Sequence, residues 1–368
     1  MSGSIYGTLF RISTWGESHG KGIGVVIDGC PAGLPISEEI IQAYLNRRKP
    51  GQTKYATPRK ESDEVQILSG IFEGKSTGTP ISLAVMNTNQ HSSDYSEIAN
   101  YYRPGHADYT YDEKYGFRDY RGGGRSSGRE TTGRVAAGAI AKEILKQLGI
   151  DVCAYTKQIG SVAIDYKNCK KENIPLSPLA MPDLDASEKA ENLLTEKMQE
   201  SDSLGGIIEC IVSGMPTGIG EPVFDKIDAL LGKAILSIGA IKGIEFGAGF
   251  SVANMTGSIS NDQFRIDNGK ISKITNHAGG IMGGMSDGSE IIFRASVKPT
   301  PSIARPQATV NKSDENISVI ITGRHDPIIV PRAVVVVEAM TAITLVDLLF
   351  QSMTSRMDHI IDHFNKRK

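Results

Sequence analysis

Two long stretches of this chain are apolar on nearly every helical face, and a chain that carries them must supply other layers to cover them. Val135 to Leu148 runs through Ala136, Ala137, Gly138, Ala139 and Ala141, and Ala333 to Leu349 opens on Val334, Val335, Val336 and Val337. A helix apolar all round belongs in the middle of a structure. β-branched or alternating runs at Ile207 to Val212, Ile291 to Val297 and Ile317 to Thr322 read as strands around them. The fold class this predicts is α+β, a sandwich of central helices flanked by sheets. The second stretch, Ala333 to Val337 and on through Met340 to Phe350, is interrupted by Glu338 and Asp347. It therefore fails the test of roughly 18 uncharged apolar residues for a membrane span, and a soluble protein is expected. Met1 to Phe10 lacks a basic region followed by an apolar run, so no secretory signal is read.

An internal echo organises the chain further. Val25-Val26-Ile27-Asp28-Gly29-Cys30-Pro31-Ala32-Gly33-Leu34 recurs, with a gap near Ile27, as Ile211-Val212-Ser213-Gly214-Met215-Pro216-Thr217-Gly218-Ile219. Each copy reads strand, tight turn, helix. The first leads to Ser37 as N-cap, Glu38 and Glu39 in the first turn, and a helix to Arg48 stopped by Pro50-Gly51. The second leads to Asp225 and a helix through Asp228, Leu231, Ile235 and Ile238. A weaker echo sets Gly128-Arg129 and Arg134-Val135-Ala136 beside Gly323-Arg324 and Arg332-Ala333-Val334. The expectation is one domain over 1–368 built from two pseudo-repeats, roughly 1–160 and 200–350, about a pseudo-twofold axis. The polar stretch Lys167 to Glu188, with Pro175, Pro178 and Pro182, reads as a surface excursion.

Lys and Arg total 40 against 42 Asp and Glu, a net charge of −2, so no whole-protein field draws the chain to nucleic acid or membrane. Any anion site must be local. Cys30, Cys153, Cys169 and Cys210 form no Cys-x-x-Cys pair, which suits reduced thiols in the cytoplasm and gives no zinc site; no metal is expected. Glycine is abundant, 40 residues or about 11% against ~7% in typical chains, and it clusters at Gly122 to Gly124, Gly243 to Gly249 and Gly279 to Gly284. Such turns between apolar segments mark places where backbone approaches a ligand or another backbone.

Three histidines sit among turn residues and charges, in Gly16-Glu17-Ser18-His19-Gly20, Arg103-Pro104-Gly105-His106-Ala107-Asp108 and Gly323-Arg324-His325-Asp326-Pro327. A neighbouring glycine lets an imidazole reach a ligand, and a group that titrates near neutrality is what general acid–base work requires. His19 and His106 are the stronger candidates. His91, His277, His359 and His363 read as surface or core histidines.

The segment Arg118-Asp119-Tyr120-Arg121-Gly122-Gly123-Gly124-Arg125-Ser126-Ser127-Gly128-Arg129 leads into the apolar helix. Free N–H groups at a helix N-terminus, two hydroxyls and forked guanidiniums together make an anion site. It is neither a Walker loop nor a dinucleotide fingerprint, and one copy inside a folded chain argues against a disordered RNA-binding segment. Arg47, Arg48, Lys49, Lys54, Arg59 and Lys60 form a second basic group, either a solvated helix end or part of the same site. Lys298-Pro299-Thr300-Pro301-Ser302 is a third, a stiffened loop with one ammonium and two hydroxyls.

On the three histidine segments and Tyr120-Arg121-Gly122-Gly123-Gly124-Arg125-Ser126-Ser127, together with Phe10-Arg11, Tyr109-Thr110, Gly220-Glu221-Pro222-Val223-Phe224-Asp225 and Asn276-His277-Ala278-Gly279-Gly280, the chain resembles the chorismate synthases from end to end. The resemblance implies a helical layer between two antiparallel sheets, a homotetramer, bound reduced FMN, and a cytoplasmic place in the shikimate pathway. It implies 1,4-elimination of phosphate from 5-enolpyruvylshikimate 3-phosphate to give chorismate. It would make His19 the proton donor to departing phosphate and His106 the residue tuning flavin protonation. Asp326, relayed through Ser18 or Ser127, would serve the flavin nitrogen that collects the ring hydrogen. Arg125, Ser126, Ser127, Gly239, Ala240, Gly283, Lys298, Pro299, Thr300, Pro301, Ser302 and Arg324 map onto FMN contacts. Arg48, Lys54, Arg103 and Arg129 map onto a substrate or NADP region, with NADPH as a candidate reductant. Relatives often carry Arg at Lys54, which turns a bidentate contact into a point charge, and Asn at Gly239, which leaves only a backbone contact there. The competing readings are a flavin oxidoreductase and an RNA-binding protein; neutral charge and the lack of aromatic stacking platforms weigh against the latter.

Overall fold

The structure is a computed structural model that describes residues 3–51, 53–55, 62–87, 97–321 and 326–366. Its first antiparallel sheet comprises β1 (Ile5–Tyr6), β2 (Arg11–Gly16), β3 (Gly22–Asp28) and β4 (Val65–Ser69), then, past the small hairpin β5 (Ile71–Phe72) and β6 (Lys75–Ser76), β7 (Ile81–Met86). The order is β1-β2-β3-β7-β4. Edge-side β2 buries Ile12 and Thr14 and exposes Arg11 and Trp15, whereas central β3 is buried along most of its length. The second sheet takes β8 (Asp151–Ile159), β9 (Val162–Ala163), β10 (Gly206–Ser213) and β11 (Ile241–Phe246). After the hairpins β12 (Phe264–Asp267) with β13 (Lys270–Lys273) and β14 (Ile281–Met282) with β15 (Met285–Ser286), β16 (Ile291–Val297) completes it in the order β11-β16-β10-β8-β9.

The two sheets follow one connection order, since β2-β3-β7-β4 and β8-β10-β16-β11 each place their third strand at the far side of their fourth. The proline turns match in detail. Ser76 Oγ donates to Pro31 O at 2.5 Å and accepts from Leu34 N–H at 2.9 Å; Ser286 Oγ donates to Pro216 O at 2.6 Å and accepts from Ile219 N–H at 2.9 Å.

α1 (Glu38–Arg48) forms as its sequence predicts, with Ser37 accepting from Ile40 N–H and Arg47 and Arg48 in the last turn. α2 (Asp108–Tyr115) ends at Gly116, and α3 (Thr131–Gln147) is buried over most of its turns. Next come α4 (Leu184–Gln199), α5 (Ile227–Leu236), which stops short of Ile238, and the single turn α6 (Gly257–Ser260). The chain ends in α7 (Val330–Ser352) and α8 (Met357–Asn365). α3 packs on β3 and α7 on β8 and β10, while α3 and α7 pack on each other. Gly138 permits that closeness: a Cβ there would lie 2.2 Å from the Ala339 Cβ.

Two expectations change. The run expected over Ile317 to Thr322, of which Thr322 lies outside the described residues, is not a strand of a main sheet, because β18 (Asn316–Ile320) pairs with β17 (Pro306–Val310) in a separate hairpin. Lys167 to Glu188 is no loose excursion, because Leu179 and Met181 are fully buried and Asp183 caps α4, whose Ala186, Ala190 and Leu194 face the core.

α7 also differs from its reading as too charged to span a membrane. By length and composition it is apolar enough to cross one, and most of its apolar stretch is buried inside the protein. Its two acids are matched internally. Glu338 accepts from Arg47 at 2.7 and 3.0 Å, from Lys142 at 3.1 Å and from Ala154 N–H at 3.0 Å. Asp347 accepts from the N–H groups of Thr8, Leu9 and Phe10 at 2.9, 2.7 and 2.9 Å. Burial pushes the Glu338 carboxyl up, but the Arg47 bonds and the Lys142 charge outweigh it and leave it below its ordinary range.

Candidate active site

The turn between β2 and β3 carries His19. Gly16 adopts φ 85, where a Cβ would lie 2.2 Å from Gly22 O, so only glycine lets β2 leave the sheet this sharply. Gly20 N–H donates to Glu17 O at 3.1 Å, and Ser18 Oγ lies 3.2 Å from His19 Nδ1. Gly122 of the glycine-rich loop faces the ring: a Cβ there would stand 2.3 Å from His19 Nδ1. The glycine that accommodates this histidine therefore comes from a segment a hundred residues away as well as from its own turn.

The hydroxyls and guanidinium of that loop have local partners. Ser126 Oγ donates to Gly123 O at 2.6 Å, and Ser127 Oγ accepts from Arg129 N–H at 3.2 Å, capping the turn into α3. Arg125 points back at the sheet, donating to Gly16 O at 3.0 Å and to Thr14 Oγ1 at 2.7 Å, with Glu130 at 3.6 Å. Arg125→Ala should therefore lower unfolding stability by about 1.5–3 kcal/mol, the usual size for bonds from a charged donor, in a urea titration. Unchanged stability would show instead that the side chain turns outward.

Beside the His19 turn lies a network of three arginines. Arg48 is 2% exposed and Asp63 1%. Asp63 accepts from both Arg48 and Arg129. Arg48 also donates to Gly128 O at 3.3 Å, Arg332 Nε donates to Arg48 O at 3.0 Å, and Arg332 donates to Asp326. Arg129 Nε reaches Asn87 Oδ1 at 3.0 Å, and Asn87 in turn holds the His19 turn. Burial lowers the Arg48 guanidinium; Asp63 opposes this, and Arg332 and Arg129 add to it. Burial raises the Asp63 carboxyl, but its two arginines outweigh that and hold it below its ordinary value. Among the described residues three guanidiniums and two carboxylates meet here, and forked guanidinium donors suit a phosphate.

A second group gathers around His106. Its Nδ1 lies 3.0 Å from Pro104 O and its Nε2 2.9 Å from Ser302 Oγ. Lys298 Nζ donates to Gly105 O at 2.8 Å, and its N–H to Ala240 O at 2.9 Å. Burial, then the charge of Lys242, lowers the Lys298 ammonium. Among the described residues the buried Thr300 Oγ1 has no hydrogen-bond partner. Gly239 adjoins the glycine-rich loop, its absent Cβ 4.0 Å from Ser126 O. The structure thus joins Ser126, Gly239, Ala240, His106 and the Lys298–Ser302 loop.

Other expected residues make their contacts elsewhere. Arg103 is committed to Asp108 through Nε at 2.8 Å and Nη2 at 2.7 Å, and Arg118 holds the same carboxylate at 3.0 Å. Lys54 is exposed, its Nζ 4.8 Å over the Tyr55 ring. Gly283 lies in the β14–β15 turn near Met285. Arg324, with Gly323, His325, Arg59, Lys60 and His91, lies outside the described residues. Among the described residues no group of three or more His, Cys, Asp or Glu is arranged to hold a metal ion. Sequence reading did not single out Asp63, Asn87 or Arg332 as site residues. Only Arg332 had a signal, its place opposite Arg134 in the weaker echo.

The sequence profile of the family described as "Chorismate synthase" matches residues 10–350. The chain is 69% identical to the "Chorismate synthase" of Lachnoclostridium phytofermentans, over 100% of both chains. It is 64% identical to that of Lachnospira eligens, again over 100% of both, and 55% identical to that of Methanococcoides burtonii over 96% of this chain and 97% of the relative. A solved structure titled "Crystal Structure of Chorismate Synthase" superposes with a TM-score of 0.77 at 30% identity, covering 98% of each chain.

Proposed function

The chain belongs to the chorismate synthase family, and from that premise we propose that the His19 turn and the arginine network beside it act together on the substrate. The enzyme is a lyase that converts 5-enolpyruvylshikimate 3-phosphate to chorismate and phosphate. The observation that carries the division of roles is Asp63 drawing Arg48 and Arg129 together beside that turn. Their guanidiniums hold the substrate's anionic groups. His19 donates a proton to the phosphate oxygen as its bond to the ring breaks. Asp326, oriented by Arg332, would exchange a proton with the flavin nitrogen, relayed through Ser18 or Ser127.

The residues fit reduced FMN. The orphaned Thr300 Oγ1, Ser302 and Lys298 suit a phosphate or a polar ring edge, and Gly239 opens space beside Ser126. Arg125 keeps the loop seated, Pro299 and Pro301 stiffen its neighbour, and His106 holds a proton beside Ser302. Ala240, Gly283 and Arg324 complete the proposed flavin contacts. When bound, the reduced flavin supplies electron density that eases phosphate departure and is regained as the ring hydrogen leaves, with no net redox change. Arg103 and Lys54 belong to the substrate or NADPH region. We further read the chain as a single domain of two repeats, 1–160 and 200–350, with a helical layer between two sheets. The shared connection order and the paired Ser76 and Ser286 bonds support this. A cytoplasmic homotetramer completes the reading.

The test is stoichiometric. Under strict anaerobiosis, enzyme with a substoichiometric amount of reduced FMN should convert excess substrate through many turnovers and leave the flavin reduced. Product that stops at one equivalent per flavin, with an oxidised spectrum, would make the protein an oxidoreductase.

A further inference from the structure

We propose that Asn87 is a positioning residue for His19, fixing the turn that carries the histidine and tying it to Arg129. The proposal rests on the reading of His19 as proton donor to the departing phosphate. β7 ends at Met86, paired with Gly22 of β3, and Asn87 follows with its N–H donating to Lys21 O at 3.0 Å. This register brings the Asn87 amide to the Glu17–Gly20 turn. Its Nδ2 donates to Glu17 O at 3.1 Å and to Gly20 O at 2.8 Å, so both ends of the turn hang on one side chain. Its Oδ1 accepts from Arg129 Nε at 3.0 Å. One amide orientation satisfies all three bonds. The reverse would set Oδ1 against two carbonyls and the NH2 against a guanidinium.

The turn needs such a clamp. Glycines at both ends, Gly16 and Gly20, give its backbone wide freedom, and among the described residues the backbone bond within the turn is Gly20 N–H to Glu17 O at 3.1 Å. Through Arg129 the clamp continues to Asp63 and Arg48. Asn87 therefore sets where the acid stands relative to the arginines that hold the substrate. Catalysis is sensitive to that separation, since a displacement near 1 Å can cost on the order of 100-fold.

Asn87→Asp keeps an acceptor for Arg129 but replaces the two donors with an oxygen facing two carbonyls. Turnover should fall roughly 10- to 100-fold, while KM for 5-enolpyruvylshikimate 3-phosphate stays within about twofold, the signature of lost transition-state geometry rather than lost binding. In the ligand-free protein the Gly20 amide should exchange hydrogen faster. In a His19→Ala background the same substitution should add little, because residues acting as a unit are non-additive. Unchanged turnover overturns the proposal. So does a raised KM with intact kcat, which would group Asn87 with the substrate-holding arginines, or a fully additive double variant. If Asn87→Asp fails to fold, Asn87→Ser removes the clamp without adding charge and is read the same way. A His19→Ala variant that keeps its turnover would sink the His19 reading; a damaging His19→Ala beside a silent Asn87→Asp sinks only the Asn87 proposal.

Discussion

His19→Ala should lose on the order of 100-fold or more in turnover, the range for a general acid, and keep its fold. The structure supports the second half. The ring is half-buried and faces Gly122, with Ser18 Oγ at 3.2 Å from Nδ1, outside the main hydrophobic core. Removing it opens space against a glycine rather than a cavity among packed side chains, so the large cost of a core truncation does not apply. His106→Ala should show a comparable loss through a different route, because its ring bridges Pro104 O and Ser302 Oγ and thereby ties the 103–108 segment to the Lys298–Ser302 loop. Circular dichroism and size measurement come before kinetics. A His19 variant that is inactive only because it is unfolded, or that turns over within a few-fold of the parent, ends the assignment.

What the sequence made legible was whatever repeats at short range. α1 announced itself by Ser37, two glutamates and two arginines at the proper ends, and α3 and α7 by apolarity on every face. The two proline turns carry matching bonds from Ser76 and Ser286, neither of which lies within the echoed segments. Hidden from sequence were the partners that meet only after the layers stack. Asp63 lies beside Glu64 in a charged stretch and reads as surface, yet its carboxylate is buried between arginines 15 and 66 positions away. α4 was masked by prolines preceding it, while its Ala186, Ala190 and Leu194 carry an ordinary helical period. The arginine readings illustrate the same limit. A guanidinium in an anion-binding pattern can turn inward, as Arg125 does toward Thr14 and Gly16 and Arg103 does toward Asp108.

Asp63→Asn should lower unfolding stability by about 3–5 kcal/mol, the range for breaking a buried ion pair by removing one partner. The substitution isolates charge from backbone strain, because Asp63 sits at φ 49 and asparagine tolerates that left-handed region as well as aspartate does. It leaves two buried guanidiniums, Arg48 and Arg129, facing an amide that can accept from one but presents its NH2 to the other. The pH dependence has a definite sign. Burial raises the Asp63 carboxyl, its two arginines more than reverse that, and the folded-state value lies below the unfolded one. Its contribution is therefore fully present above the unfolded pKa near ~3.9 and is lost as pH falls through the lower folded value. Urea titrations of parent and variant should differ most near neutrality and converge in acid. A gap under about 1 kcal/mol at neutral pH, the scale of an exposed pair, would mean that Asp63 is not the buried counter-ion. So would a gap that does not change with pH. Adding Arg129→Gln to Asp63→Asn should recover part of the loss, since one uncompensated charge then remains instead of two. Strict additivity of the two substitutions would deny that Asp63 and Arg129 act as a pair.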